Sequence, residues 1–186
     1  MTRIIAGAAA ALRLDVPGRG TRPTSDKVRE ALFSSLESSF EFDGARVLDL
    51  YAGSGSLALE SVSRGAERAV LVEQAASAAA LARKNSDAVL ARVPTARIEV
   101  VTSAVRRFLE GTLDEFDLVF ADPPYELSNA DLGIDLALLA PRLSPDALVV
   151  VERAARSGEV PLPEGLVLWR RRDYGDTALH FLEPVP

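Results

Sequence analysis

Val47-Leu48-Asp49-Leu50-Tyr51-Ala52-Gly53-Ser54-Gly55-Ser56 is a short apolar run that ends on a carboxylate and breaks into a turn with two glycines. Aliphatic runs of this length read as buried strands. Glycines directly after such a strand let a ligand approach the backbone, and the helix that follows offers free amide donors. With Arg46 before it, the stretch therefore predicts a strand over Arg46–Leu50, a ligand-holding turn and a helix in succession. Three further strand-length runs follow at Ala69–Glu73, Ile98–Val101 and Leu118–Ala121, with helical patterns at Ser56–Arg64, Ala75–Leu90 and Ala104–Glu110 between them. Buried strands alternating with helices imply βαβ crossovers and a doubly wound α/β fold. A helix at about Asp131–Leu139, a strand at Ala147–Glu152, and strands at Val167–Tyr174 and Thr177–Leu182 joined at Gly175-Asp176 complete a mostly parallel sheet of seven strands. The last pair has hairpin chemistry, so the sheet is expected to end on an antiparallel strand.

At 186 residues the chain suits one substantial domain. Residues 1–20 read as an extended or hairpin-like arm, and a helix leads from Thr24-Ser25-Asp26 to about Ser38–Phe42. Residues 1–42 are thus expected to extend a main domain at 43–186. No apolar run reaches the roughly 18 residues of a membrane helix, and no export signal is read at the N-terminus, which points to the cytoplasm. The absence of cysteine excludes disulfides, zinc–thiolate sites and cysteine nucleophiles, and with His180 the only histidine no metal is expected. A net charge of −6 argues against tight nonspecific nucleic-acid binding. The first thirty residues are the exception, because Arg3, Arg13, Arg19, Arg22, Lys27 and Arg29 there outnumber Asp15, Asp26 and Glu30. That segment is the candidate contact for phosphates.

Gly53 to Ala58 also satisfies the dinucleotide pattern G-x-G-x-x-A, so a nicotinamide cofactor has to be weighed. Asp49 favours S-adenosylmethionine (SAM) instead: an acid at the strand end repels a pyrophosphate and suits the amino group of a methionine moiety. Ala52, Gly53 and Gly55 would form the turn around the ligand. Glu73 ends the second strand twenty residues beyond Gly53, where a carboxylate grips ribose hydroxyls in either nucleotide. Ser103 and the Ala104 amide, at the exit of the third strand, are placed beside the adenine.

Phe120-Ala121-Asp122-Pro123-Pro124-Tyr125 ends the fourth strand. An exocyclic amine on a base is a poor nucleophile because its lone pair is delocalised into the ring. Two acceptors on its N–H groups, the Asp122 carboxylate and the Pro123 carbonyl, localise that pair and aim it at a methyl donor. Pro123 and Pro124 fix the loop so that the acceptors are preorganised, and Tyr125 would stack on the extruded base. The motif indicates amino-group methylation without separating adenine N6, guanine N2 or cytosine N4.

With these residues in place the chain resembles the RsmD family, bacterial methyltransferases that modify a guanine N2 of small-subunit ribosomal RNA. Besides the two nucleotide motifs, the resemblance takes in Arg3 to Gly7, Thr21 to Phe33, Leu57 to Gly65, Asn85, Val151 to Ala154 and Tyr174 to Thr177. The block from Arg22 to Phe33 discriminates most, since adenine methyltransferases share the Asp-Pro-Pro-Tyr element without it. The resemblance implies a Rossmann-like class I SAM-dependent methyltransferase fold and transfer of a methyl group to a guanine of 16S rRNA. It places Arg22, Pro23 and Thr24 over the cofactor and Arg29 near the target or its phosphates; Arg3 and Arg13 of the basic segment and Pro124 and Tyr125 of the loop are further expected substrate contacts. Ala11-Leu12 stands where family members often carry Gly-Arg, and Ser103 where they carry Asn or Asp. The acidic composition suits a partly assembled ribosomal particle as substrate, since basic ribosomal proteins would complement it. Three alternatives remain at this stage: adenine-N6 methylation of DNA or RNA, an NAD-linked oxidoreductase, and a noncatalytic SAM-binding assembly module.

Overall fold

The computed structural model describes residues 2–16 and 26–185. The expected helix cap at Thr24-Ser25 falls outside them. Two short strands, β1 (Thr2–Arg3) and β2 (Arg13–Leu14), pair antiparallel as an N-terminal hairpin, and α1 spans Asp26–Glu37. The alternating body follows: β3 (Arg46–Leu50), α2 (Ser56–Ser63), β4 (Arg68–Glu73), α3 (Ala76–Leu90), β5 (Arg97–Thr102), α4 (Val105–Gly111) and β6 (Phe116–Ala121). Then come α5 (Asn129–Leu139), β7 (Leu143–Ala154), β8 (Leu166–Tyr174) and β9 (Thr177–Pro184).

The main sheet has seven strands in the order β5-β4-β3-β6-β7-β9-β8. Its central strands, β3, β4, β6 and the middle of β7, are buried on both faces because two separate cores cover them. One core joins Phe33 and Leu36 of α1, Leu59 of α2 and Ala82 of α3 to Phe120, Val150 and Phe181. The other joins Leu109 of α4 and Leu132 and Leu136 of α5 to Leu48, Val119 and Val149. Chain order runs outward from β3 to β5 and then returns to β6 on the other side, so the reversal opens a crevice beyond the carboxyl ends of β3 and β6, where such folds bind ligands. Register sharpens this. Leu50 pairs with Ala121, so the turn after β3 and the loop after β6 leave the sheet side by side, about 4.8 Å apart.

One topological expectation needs correction. The antiparallel strand is not at the edge: β9 pairs antiparallel with both β7 and β8, which places it between them and leaves β8 outermost, parallel to the rest. The tight turn at Gly175-Asp176 dictates that β8 and β9 neighbour each other, but not which of them docks on β7. The inner strand β9 is the apolar one, with Ala178, Leu179, Phe181 and Leu182 all buried, whereas β8 carries exposed residues along most of its length.

The hairpin is fastened to the body by polar bonds. Glu60, buried in α2, accepts hydrogen bonds from the amides of Ile5 (2.6 Å) and Ala6 (3.0 Å). Ser63 accepts from the Ala9 amide at 2.9 Å. Gly7, at φ +84°, sits so close to the Ser63 carbonyl that any Cβ would collide with it. Ile4, Ala9 and Leu14 share the core beneath α1.

Candidate active site

The turn after β3 begins with a strained residue. Tyr51 is in the left-handed region at φ 62°, a conformation costly for a residue with a Cβ. Its hydroxyl donates to Asp135 of α5 at 2.7 Å, and Arg106 of α4 holds the other oxygen of that carboxylate at 2.9 Å. The phenol and the α4–α5 pair thus lock the first step of the turn. Gly53 and Gly55 follow, also left-handed at φ 55° and 80°. A Cβ on Gly53 would meet nothing within 4 Å, whereas one on Gly55 would lie 2.4 Å from Leu71 Cδ2. Gly53 therefore keeps ligand space open, and Gly55 lets α2 sit down on β4.

Two predicted carboxylates brace this turn. Asp49 is buried and accepts the Ala58 amide at 3.2 Å, inside the first turn of α2. Burial raises its pKa to about 7, against the opposing pull of the Ala58 amide, and the neighbouring Glu73 charge pushes the same way as burial. Glu73 accepts the Gly53 amide at 2.9 Å and the Ala75 amide at 2.7 Å, stitching the end of β4 to the glycine turn.

Asp49, Ala52, Gly53, Glu73, Asp122, Pro123, Pro124 and Tyr125 line one cleft of about 830 Å³. The glycine turn and the Asp-Pro-Pro-Tyr loop therefore face the same space. Tyr125, which lines the cleft, is 65% exposed. The loop is held from below by Arg153 of β7, which donates to the Leu127 carbonyl at 2.9 Å and to Asn129 at 3.2 Å. Among the described lining residues are five carboxylates, Asp49, Glu73, Asp122, Glu126 and Glu152, and no lysine, arginine or histidine. A pyrophosphate would find no counter-charge there, whereas a ligand carrying a sulfonium and an ammonium fits that charge and the open space over Gly53.

Other predicted residues lie elsewhere. Gly55 packs against Leu71 behind the turn. Ser103 and Ala104 are outside the cleft lining; the Ser103 hydroxyl donates to the Ala104 carbonyl, and Val105 is the residue of that segment that reaches the cleft. Arg22 and Thr24, with Pro23, are outside the described residues. Arg3 and Arg13 line a separate depression of about 290 Å³ together with Arg29. Arg29, expected near target or phosphates, is only 2% exposed; it donates to the Thr2 hydroxyl and the Arg3 carbonyl, both at 2.6 Å, and to Asp26 at 3.1 Å. It ties the hairpin to α1.

Tyr51, Asp135, Arg106 and Glu60 carry no local sequence signal for their bracing roles, because each is defined by a partner distant in sequence. Asn85 belongs to the resemblance, and its sequence context gives it no role. It exchanges two hydrogen bonds with the Asp15 backbone and donates to the Ser54 carbonyl at 2.9 Å, coupling the arm to the glycine turn.

Comparison with known proteins agrees with this architecture. The family model described as "Conserved hypothetical protein 95" matches residues 2–183. Ribosomal RNA small subunit methyltransferase D of Escherichia coli K12 is 34% identical over 177 residues, covering 95% of this chain and 86% of the relative. Its Haemophilus influenzae counterpart is 32% identical, with 93% and 89% covered. The solved structure of E. coli yhhF, assigned there as a methyltransferase, superposes with a TM-score of 0.82 at 32% identity, covering 98% of this chain and 97% of that one. The chain thus belongs to the family of ribosomal RNA small subunit methyltransferase D.

Proposed function

We propose that this protein is a SAM-dependent methyltransferase acting on the exocyclic N2 amine of a guanine in small-subunit ribosomal RNA. The observation that carries the reading is the shared cleft: Asp122 and Gly53 line the same space, among carboxylates and, among the described residues, no cations. The names of the relatives supply the substrate class, small-subunit rRNA. Bound over Gly53, SAM would supply an electrophilic methyl group on a sulfonium. Asp49 would take its ammonium and Glu73 its ribose hydroxyls. Asp122 and the Pro123 carbonyl accept the two N–H bonds of the target amine, and Tyr125 stacks on the ring. As the new N–C bond forms and the C–S bond breaks, the amine nitrogen becomes acidic and its surplus proton passes to Asp122 or to water. Positioning therefore carries most of the acceleration.

The test is methyl transfer from labelled SAM to small-subunit RNA and particles from a strain lacking the gene, followed by nucleoside mapping. The expected product is N2-methylguanosine, lost in Asp122→Ala. Label on an adenine N6, or none with either substrate, overturns the reading. Running naked RNA and particles side by side also decides whether a partly assembled particle is the substrate.

A further inference from the structure

We propose that the edge strand β8 is a second RNA contact that grips the single-stranded flank of the target through Trp169, Arg170 and Arg172. The proposal rests on the functional reading above for the identity of the nucleic acid. Arg170-Arg171-Arg172 is the only run of three basic residues in a chain of net charge −6, and it stands beside the chain's single tryptophan.

Register decides where these side chains point. Arg170 pairs with Phe181 and Arg172 with Leu179, both buried in the α1-side core, so the two arginines project on the α1 face. An irregularity between Leu168 and Arg170 seats Trp169 on that same face, its ring edge-on to Phe181 at 6.2 Å. The Arg170 guanidinium lies over the indole at 4.2 Å, while Trp169 is still 39% exposed. An aromatic face flanked by guanidinium groups is how proteins hold single-stranded nucleic acid, with bases stacking and phosphates pairing.

The strand is also level with the chemistry. Ala121, the residue before Asp122, pairs with Val151, Val151 with His180, and His180 with Arg171. β8 runs parallel to β6, so its carboxyl end emerges on the side of the cleft. Three strand spacings separate the two strands, about 14 Å, within reach of nucleotides flanking a base inserted beside Tyr125. The competing role for these arginines is protection of an open sheet edge, where exposed Val167 and Leu168 invite strand pairing.

Because Trp169 is the sole tryptophan, its emission reports on the strand directly. A single-stranded small-subunit rRNA fragment, titrated into the full chain while RNA anisotropy monitors binding, is expected to quench that emission saturably. R170A/R172A is expected to weaken RNA binding about tenfold and to make the salt dependence shallower by about 1.4 log units per log unit, two phosphates at roughly 0.7 each for a single strand. R170K/R172K should restore the slope, since a phosphate accepts either cation. SAM affinity and the turnover number at saturating RNA should stay as in wild type. Unchanged emission at saturating RNA, an unchanged slope in R170A/R172A, a variant that loses only solubility, or an effect confined to assembled particles each overturns the proposal; the last would indicate a protein partner. If quenching and slope behave as expected but no RNA is methylated, the activity reading fails and the β8 contact stands.

Discussion

Asp49 shows how one buried group can set the pH response of a site. With its pKa raised to about 7 by burial, it is protonated below neutrality and must release that proton before it can hold an ammonium group. Cofactor affinity is expected to fall by up to about tenfold per pH unit below 7, as calorimetry across pH 5.5–8.5 would read. Asp49→Asn should remove this dependence and weaken binding by about 2–4 kcal/mol. Stability takes the opposite sign. A carboxyl whose folded pKa lies above its unfolded value contributes fully below about pH 4 and loses that contribution as pH rises through 7. Ligand-free Asp49→Asn should therefore gain stability relative to wild type at pH 8 more than at pH 5, measured by denaturant midpoint. The two glycines should separate as cleanly. Gly53→Ala meets only its φ of 55° and should cost about 1–2 kcal/mol of stability while weakening cofactor binding. Gly55→Ala adds a collision with Leu71 and should unfold at distinctly lower denaturant.

At the scale of elements, strands and helices were largely legible because their patterns are local. β3 was read to the residue, and α2, α3 and α5 within two residues at each end. β7 was read short, since Ser144-Pro145-Asp146 looks like a turn; the pairing of Leu143 with Phe116 across an irregular register extends it. The position of β9 depends on which strand is more apolar when docked, a tertiary question that turn chemistry leaves open. The same limit hid the brace on the glycine turn. Tyr51 reaches Asp135 across 84 residues, and that bond holds a left-handed backbone step beside the ligand space. Tyr51→Phe removes a donor from a buried carboxylate and should cost about 1–3 kcal/mol. In steady-state assays it should raise the cofactor KM more than it lowers kcat, whereas a purely structural loss would leave both constants unchanged in the folded fraction.

The whole molecule is held together by carboxylates that look ordinary in sequence. Glu60 reads as one charge in an amphipathic helix, yet it is fully buried, takes two amides from the hairpin, and pairs with Arg64 at 2.8 Å. Glu60→Ala should destabilise by about 3–5 kcal/mol, and hydrogen exchange should show the Ile5 and Ala6 amides deprotected well beyond the rest of the chain. The cleft itself was legible because its two motifs each follow a strand end. The separation of Arg3, Arg13 and Arg29 from it was not, since charge counting says nothing about which surface a residue occupies.

The seating of the hairpin on α2 also imposes a timetable. The amides of Ile5 and Ala6 find their acceptor some fifty residues downstream, and Asp15 finds Asn85 seventy residues on. During synthesis the hairpin has its ties to α1 alone until α2 and α3 have been made. The seat of residues 5–15 is thus completed only once α3 exists, and the glycine turn, tied through Asn85 to Asp15, is completed with it.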